Sequence, residues 1–328
     1  MQWKKILPSS ACRHSICAAG LATGAVAAIA GVTAVKGLYR ALKPSLLPEN
    51  PVVLITGGSR GLGYALADRF ARSGCRLVLV SQKREELEQA QSRLLARHRH
   101  LRPEDFYLIA ADLSRKEECS RVIVETLRRF ARIDVLVNNA GIIEVGPVEA
   151  TTPEIFEQTM RVNFFAALHV TLAALPHMLG QNPGRCGHRA SIVNIASLGG
   201  KVAVPHLLPY TSAKFALVGF SEGLHAEVRN KGIRVTTVCP GLMRTGGEAH
   251  AKFLGHVEAE KKWFNLAAKT PLIAVTPEHA ANRIYTATTQ GRAEITISPQ
   301  AWLMARGAGV APELMQRTNA AVNRYLLP

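Results

Sequence analysis

None of the six cysteines in this sequence (Cys12, Cys17, Cys75, Cys119, Cys186, Cys239) stands in a CxxC pair, and no His/Cys group has zinc-ligand spacing. The pattern suggests no metal site, and the cysteines read as small buried hydrophobes in a reducing compartment. Lys and Arg number 40 against 24 Asp and Glu, a net charge of +16, yet there is no long basic run and no basic strip interleaved with aromatics. The excess therefore reads as a generally basic surface, with no nucleic-acid partner. Internal repeats and low-complexity tracts are absent too, which excludes solenoids and disordered arrays.

Acidic residues are missing before Glu49, and from Ile16 to Val35 there is no charge of either sign in 20 residues. That length suits a bilayer-spanning helix. Lys4, Lys5 and Arg13 precede it, and Lys36, Arg40 and Lys43 follow it, so the flanks give no orientation. The reading taken is a membrane anchor, with the rest of the chain on the cytoplasmic side. Its Ala and Gly content leaves a cleaved signal or transit sequence, or a soluble or surface-lying helix, as alternatives. LKPSLLPENP (42–51) carries three prolines and reads as a linker, so residues 1–50 form an N-terminal segment and a folded domain is expected over 51–300.

What is present from Pro51 onward is a regular alternation. Apolar runs at 51–56, 76–81, 105–112, 133–137, 191–197, 233–241 and 293–298 read as strands, with helical patterns between most of them. Strands that are apolar throughout and alternate with helices imply a parallel sheet covered on both faces. The fold class expected is α/β: a doubly wound parallel sheet in a three-layer α/β/α single domain. Residues 301–328 follow as an apolar and basic helical tail, expected to pack on the domain.

Immediately after the first strand stands Thr56-Gly57-Gly58-Ser59-Arg60-Gly61-Leu62-Gly63. A strand, a Gly-rich turn and a helix in succession present backbone N–H groups and a helix N-terminus to a pyrophosphate. Enzymes for the unphosphorylated dinucleotide usually place a carboxylate near the end of the second strand. Here that strand ends Val80-Ser81-Gln82-Lys83-Arg84, with no carboxylate until Glu85. Arg60, Lys83 and Arg84, with Ser81 as a neutral donor, would suit a 2′-phosphate, so NADP(H) is expected rather than NAD(H). Asp112, closing the third strand, would accept from the adenine amino group or cap the next helix.

Ser197 ends a strand, Tyr210 follows 13 residues later, and Lys214 lies four residues beyond it in YTSAK. Helix positions i and i+4 share a face, so the ammonium can lie beside the phenol or under a ligand that both touch. A neighbouring cation favours the phenolate and would bring its pKa toward neutral pH. Carbonyl reduction needs such a set, because charge develops on the substrate oxygen and a positioned acid must supply a proton. Singly, each residue is more commonly a packing or capping residue.

With these motifs in this order the chain resembles the short-chain dehydrogenases/reductases over roughly 51–300: TGGSRGLG for TGxxxGxG, Asn138-Asn139-Ala140-Gly141 for NNAG, Ser197, YTSAK for YxxxK, and Pro240-Gly241 for the PG turn. Asn163, in MRVNFF, matches the asparagine of the family's Asn-Ser-Tyr-Lys tetrad. The resemblance implies the Rossmann fold and a catalytic set of Asn163, Ser197, Tyr210 and Lys214. Tyr210 would be the acid/base, Ser197 would polarise the carbonyl, Lys214 would bind the nicotinamide ribose and lower the Tyr pKa, and Asn163 would hold a relay water. The implied cofactor-binding set is Gly57, Ser59, Arg60, Gly61, Leu62, Gly63, Ser81, Lys83, Asp112, Leu113, Asn139, Ala140, Gly141, Tyr210, Lys214, Pro240, Gly241 and Thr245, the last beside the carboxamide. A homodimer or homotetramer through helices 153–179 and 210–230 is implied as well.

The stretch 246–275 is the family's substrate lid. Its Phe253, Leu254, Trp263, Phe264 and Leu266, with Val202, Val204, Leu207 and Leu208, would pack the lid on its own domain or line a pocket for a lipophilic carbonyl or alcohol. The rival reading is a catalytically silent nucleotide sensor or scaffold on the same fold. Such a protein would be expected to lose Tyr210 or Lys214.

Overall fold

A computed structural model describes residues 45–244, 246, 251–269 and 274–327. The apolar segment 16–35 and Thr245 lie outside the described residues.

Strand β1 (Val52–Thr56) is buried along its whole length. Helix α1 (Gly61–Ala71), β2 (Arg76–Ser81), α2 (Arg84–Arg97), β3 (Phe106–Ala110), α3 (Lys116–Phe130) and β4 (Val135–Asn138) then alternate strictly. After the short β5 (Glu144–Val145) comes the long helix α4 (Pro153–Gly180). Next are β6 (Ala190–Ile195), α5 (Leu208–Val228) and β7 (Ile233–Pro240). The remainder is β8 (Lys252–Phe253), α6 (Val257–Lys269), α7 (Pro277–Thr289), β9 (Glu294–Ile297), α8 (Pro299–Val310) and α9 (Pro312–Leu326).

Seven strands form one parallel sheet in the order β3-β2-β1-β4-β6-β7-β9. Side chains alternate across a strand, so β1 feeds two cores. Val53 and Ile55 pack with Leu66 and Phe70 of α1 and Ile284 of α7. Val52 and Leu54 pack on the other face with Val122 and Ile123 of α3 and Val170 and Ala174 of α4. This is the doubly wound three-layer arrangement. The strand order reverses between β1 and β4, which opens a crevice at their C-terminal ends.

Helix starts follow local chemistry. In α2, Glu85 and Glu86 occupy the first turn, where the helix dipole favours anions, and Leu87, Ala90 and Leu94 form the buried stripe. In α3, Glu117 and Glu118 open the helix and Arg128 and Arg129 close it. The N-terminus of α1 differs, with no acidic residue in its first turn and no side-chain cap.

Helix α4 is long and apolar enough to cross a membrane by length and composition, but Val170, Ala174 and Met178 put it in the second core. Leu46, inside the expected linker, packs on the domain: its N–H donates to Thr289 O and its side chain is buried. Strand β6 ends at Ile195, so Ser197 stands two residues past the strand instead of closing it. The tail packs only in part. Ala301 is buried and Asn319 Nδ2 donates to Ala203 O at 2.8 Å, whereas Trp302, Leu303 and Leu314 are exposed. Of the cysteines, Cys75, Cys119 and Cys239 are buried as expected, and burial pushes each thiol up to about 12. Cys186 departs from the expectation: it is exposed, in a turn where its φ is 53°.

Candidate active site

The turn after β1 is shaped by glycine. Gly57 and Gly61 have φ of 65° and 53°, a region other residues avoid. A Cβ on Gly63 would stand 1.9 Å from Gly57 O, so the helix can approach the strand this closely only with glycine there. Thr56 Oγ1 accepts from the N–H groups of Asn139 (2.9 Å) and Ala140 (3.0 Å). Asn139 Nδ2 donates back to Thr56 O (2.9 Å) and Gly57 O (3.1 Å), knitting the end of β4 to the glycine turn. The first N–H groups of α1, on Gly61, Leu62 and Gly63, carry no side-chain cap.

At the end of β2, Ser81 Oγ lies 3.2 Å from Ser59 Oγ of the glycine turn. Arg60 and Lys83 come to the same place, each 3.5 Å from a carboxylate oxygen of Glu86. Arg84 does not join them. Its guanidinium donates to Glu88 and to Leu108 O, both at 2.9 Å, and so covers the edge of β3. Asp112 Oδ1 accepts from Ser114 N (3.0 Å) and Gln82 Nε2 (3.1 Å). Burial works against its ionisation, but the bonds from Ser114 and Gln82 outweigh it and hold the carboxyl below its ordinary range. Leu113 beside it is a core residue.

Asn163 sits in a π-helical turn, Arg161–Phe165, within α4. There its Oδ1 accepts from Ile142 N (3.0 Å) and its Nδ2 donates to Ile142 O (2.9 Å). A Cβ on Gly141 would lie 2.6 Å from Asn163 Oδ1 and 3.8 Å from Lys214 Nζ, so the close meeting of β4 loop, α4 and α5 depends on this glycine.

Ser197, Tyr210 and Lys214 converge at the end of β6. Ser197 Oγ accepts from Gly199 N at 3.0 Å and shares a hydrogen bond with the Tyr210 hydroxyl. Lys214 is 4% exposed; its Nζ donates to Ile195 O at 2.9 Å and stands 5.6 Å from the Tyr210 ring centroid. Burial raises the phenol's pKa above its ordinary value, with the Ser197 bond acting in the opposite direction. Burial also lowers the Lys214 ammonium to about 8. The lowering of the phenol by Lys214 is therefore not found in this state. The ammonium is engaged by a backbone carbonyl, and desolvation of the phenol dominates.

Comparison with known proteins adds the lineage. The family model for short chain dehydrogenases matches residues 51–252. The chain belongs to the short-chain dehydrogenase/reductase family. It is 37% identical to a dehydrogenase/reductase SDR family protein 7-like of Anopheles gambiae, over 59% of this chain and 59% of that one. With the dehydrogenase/reductase SDR family member 7B of Bos taurus it shares 30% identity over 83% of this chain and 81% of that one. A short chain dehydrogenase/reductase from Burkholderia phymatum, solved in complex with NAD, has the same fold: TM-score 0.72 at 24% identity, covering 81% of this chain and 95% of that one.

The residues expected to face a dinucleotide have a chemistry that fits one: an uncapped helix start, a glycine turn with no room for a Cβ at Gly63, and a polar cluster at the end of β2. Beside Tyr210 lies an apolar cluster of Val145, Leu207 and Phe264, joined by Ile143, Val204, Phe253 and Trp263. Leu208 and Leu266 take no part in it; they are 42% and 70% exposed. Pro240 ends β7, and Gly241 N donates to Ile297 O at 3.1 Å, closing the turn against β9.

Two features carried no sequence signal of their own, and a third extends inward from the NNAG motif. Glu86 reaches back into the polar cluster from α2. His206 and Glu260 pair across 54 residues. Asn138 Nδ2 donates to Thr171 Oγ1 (2.9 Å) and Asn194 Oδ1 (2.8 Å), opening a buried polar chain that continues through Ser221 to Thr237.

Proposed function

We propose that this protein is an NADP(H)-dependent oxidoreductase that interconverts a carbonyl and an alcohol on a lipophilic substrate. The observation that carries the reading is the convergence of Ser197, Tyr210 and Lys214 beside an apolar cluster. Retention of both Tyr210 and Lys214 argues against a silent scaffold.

The bound nicotinamide would supply or accept hydride. Tyr210 is the acid/base. Its raised pKa keeps the phenol protonated at neutral pH, the form needed to give a proton to a reduced carbonyl oxygen. Ser197 orients the phenol and donates to the same oxygen. Lys214 holds the nicotinamide ribose and places a positive charge under the proton path. Asn163, fixed to Ile142, holds the relay water. The α1 N-terminus holds the pyrophosphate, and Arg60, Lys83 and Ser81 take the 2′-phosphate. Thr245, which lies outside the described residues, would take the carboxamide by resemblance to the family.

Residues 16–35 anchor the protein in a membrane, which suits a lipophilic substrate. Exposed Phe165 and Leu172 on α4 and Phe215 on α5 support a homodimer or homotetramer through these helices. The test is oxidation of NADPH, and separately of NADH, against a panel of apolar aldehydes and ketones. Tighter binding of NADH would refute the cofactor assignment, and turnover confined to small polar carbonyls would refute the substrate class.

A further inference from the structure

We propose that Glu86 is a specificity-determining residue for the cofactor: an internal carboxylate that occupies the donor cluster in place of a 2′-phosphate. The inference rests on the reading that Arg60, Lys83 and Ser81 face the adenosine ribose.

Glu86 Oε1 lies 3.5 Å from Arg60 Nη1 and 3.5 Å from Lys83 Nζ. Its Oε2 lies 3.1 Å from Ser59 Oγ, itself 3.2 Å from Ser81 Oγ. Donors from the glycine turn and from the end of β2 thus meet on one carboxylate. The Glu86 side chain is 27% exposed, against 53% and 70% for the two cations. An acidic residue in a first helical turn is common, because the helix dipole favours it there. That preference does not account for a bond to a serine 27 positions away in the pyrophosphate turn.

The electrostatic consequence has a definite sign. Arg60 and Lys83 alone would present two positive charges, and Glu86 cancels one of them. A phosphate monoester carries about −1.5 to −2 at neutral pH, so it meets repulsion from Glu86 and competes with it for Arg60, Lys83 and Ser59. An unphosphorylated ribose hydroxyl, being a donor, can instead give a hydrogen bond to the carboxylate. Glu86 therefore opposes the phosphorylated cofactor and favours the unphosphorylated one, narrowing the preference that the cations create. It does so from the helix after β2, where a search for a carboxylate at the strand end passes over it.

The test is calorimetric binding of adenosine 2′,5′-bisphosphate and of 5′-AMP to the full-length protein, which isolates the 2′-phosphate from turnover. Glu86→Gln should tighten the bisphosphate roughly threefold to tenfold, the range expected on freeing two part-exposed cations. Binding of 5′-AMP should stay level or weaken. Glu85→Gln removes the same charge from the same helical turn and should leave the ratio of the two affinities within twofold. An unchanged ratio in Glu86→Gln, or an equal shift in Glu85→Gln, overturns the inference. The cofactor reading fails separately, if the wild-type protein binds 5′-AMP more tightly than the bisphosphate. In that event a ratio that still moves in Glu86→Gln upholds the role of Glu86.

Discussion

Nδ1 of His206 lies 2.6 Å from Oε1 of Glu260, with both side chains buried. His206 holds a left-handed φ of 59° and its carbonyl accepts from Gly146 N at 2.8 Å. It directly precedes Leu207 of the apolar cluster, while Glu260 shares α6 with Trp263 and Phe264 of the same cluster. The pair thus ties α6, the helix of the proposed lid, to the approach of the Tyr210 helix. Glu260 Oε2 has no partner, so Oε1 carries the only bond that this buried carboxylate makes among the described residues. Removing one side of a buried pair leaves the other uncompensated, at about 3 kcal/mol or more. His206→Ala is expected to lower stability by that order, raise KM more than it lowers kcat, and speed amide exchange over 251–269. Exchange there at the wild-type rate would show that the pair does not hold the lid.

Tyr210→Phe removes the hydroxyl and keeps the ring. Reduction should slow roughly 10²- to 10⁴-fold, the usual worth of a positioned acid, with NADPH affinity little changed. Turnover that survives the substitution would sink the assigned role.

The pH dependence follows from Lys214, whose pKa is lowered to about 8 by burial. Below that value the ammonium is charged and supports proton delivery by the still-protonated phenol. Above it the charge is lost first, since burial raises Tyr210. The kcat/KM for carbonyl reduction should therefore fall as pH rises through about 8. A profile flat from about pH 6 to 10 is inconsistent with this assignment.

Stability should answer to the same group with the opposite sense. Folding lowers Lys214 from 10.5 to about 8, so the fold disfavours its charge. Below about pH 8 the ammonium is charged in both folded and unfolded chains, and the unfavourable burial is present in full. It disappears between about 8 and 10.5 as the folded group loses its proton. Lys214→Met should accordingly stabilise the cofactor-free protein by up to about 3 kcal/mol at pH 7 while abolishing activity. Urea unfolding at pH 7 and pH 10 checks it; the gap between variant and wild type must shrink at the higher pH.

Gly63→Ala places a methyl group 1.9 Å from Gly57 O, and the glycine turn must open. The expected result is a lower melting temperature together with lost dinucleotide binding. Retention of wild-type NADPH affinity would contradict the proposed cradle.

Much of this was legible in the sequence because its determinants are local. Runs such as VVLIT and RLVLVS are buried on both faces, and each lies between turn residues and a helical pattern. The glycine turn, Asn139, Tyr210 and Lys214 announced themselves by spacing, and they lie at strand ends or on one helix. What escaped notice depends on distance in the chain or on small departures from regular geometry. The sequence has no carboxylate at the end of β2, but one turn of helix brings Glu86 back to it. Strands β5 and β8, two residues each, are too short to show an alternation, yet they pair in parallel and join Lys252–Phe253 to the loop after β4. The effect of Lys214 on Tyr210 was expected from helical spacing and from the family resemblance; spacing does not show burial, which in the cofactor-free chain raises the phenol and lowers the ammonium.

The π turn around Asn163 has one more residue than an ordinary helical turn needs. Since each residue advances a helix by about 100°, that surplus decides where the amide points. Deleting a single residue between Pro153 and Asn163 would let α4 close up as a regular helix and carry the amide away from Ile142, with every side chain of the site still present. At this one place the sequence encodes the site by a count of residues as much as by their kinds.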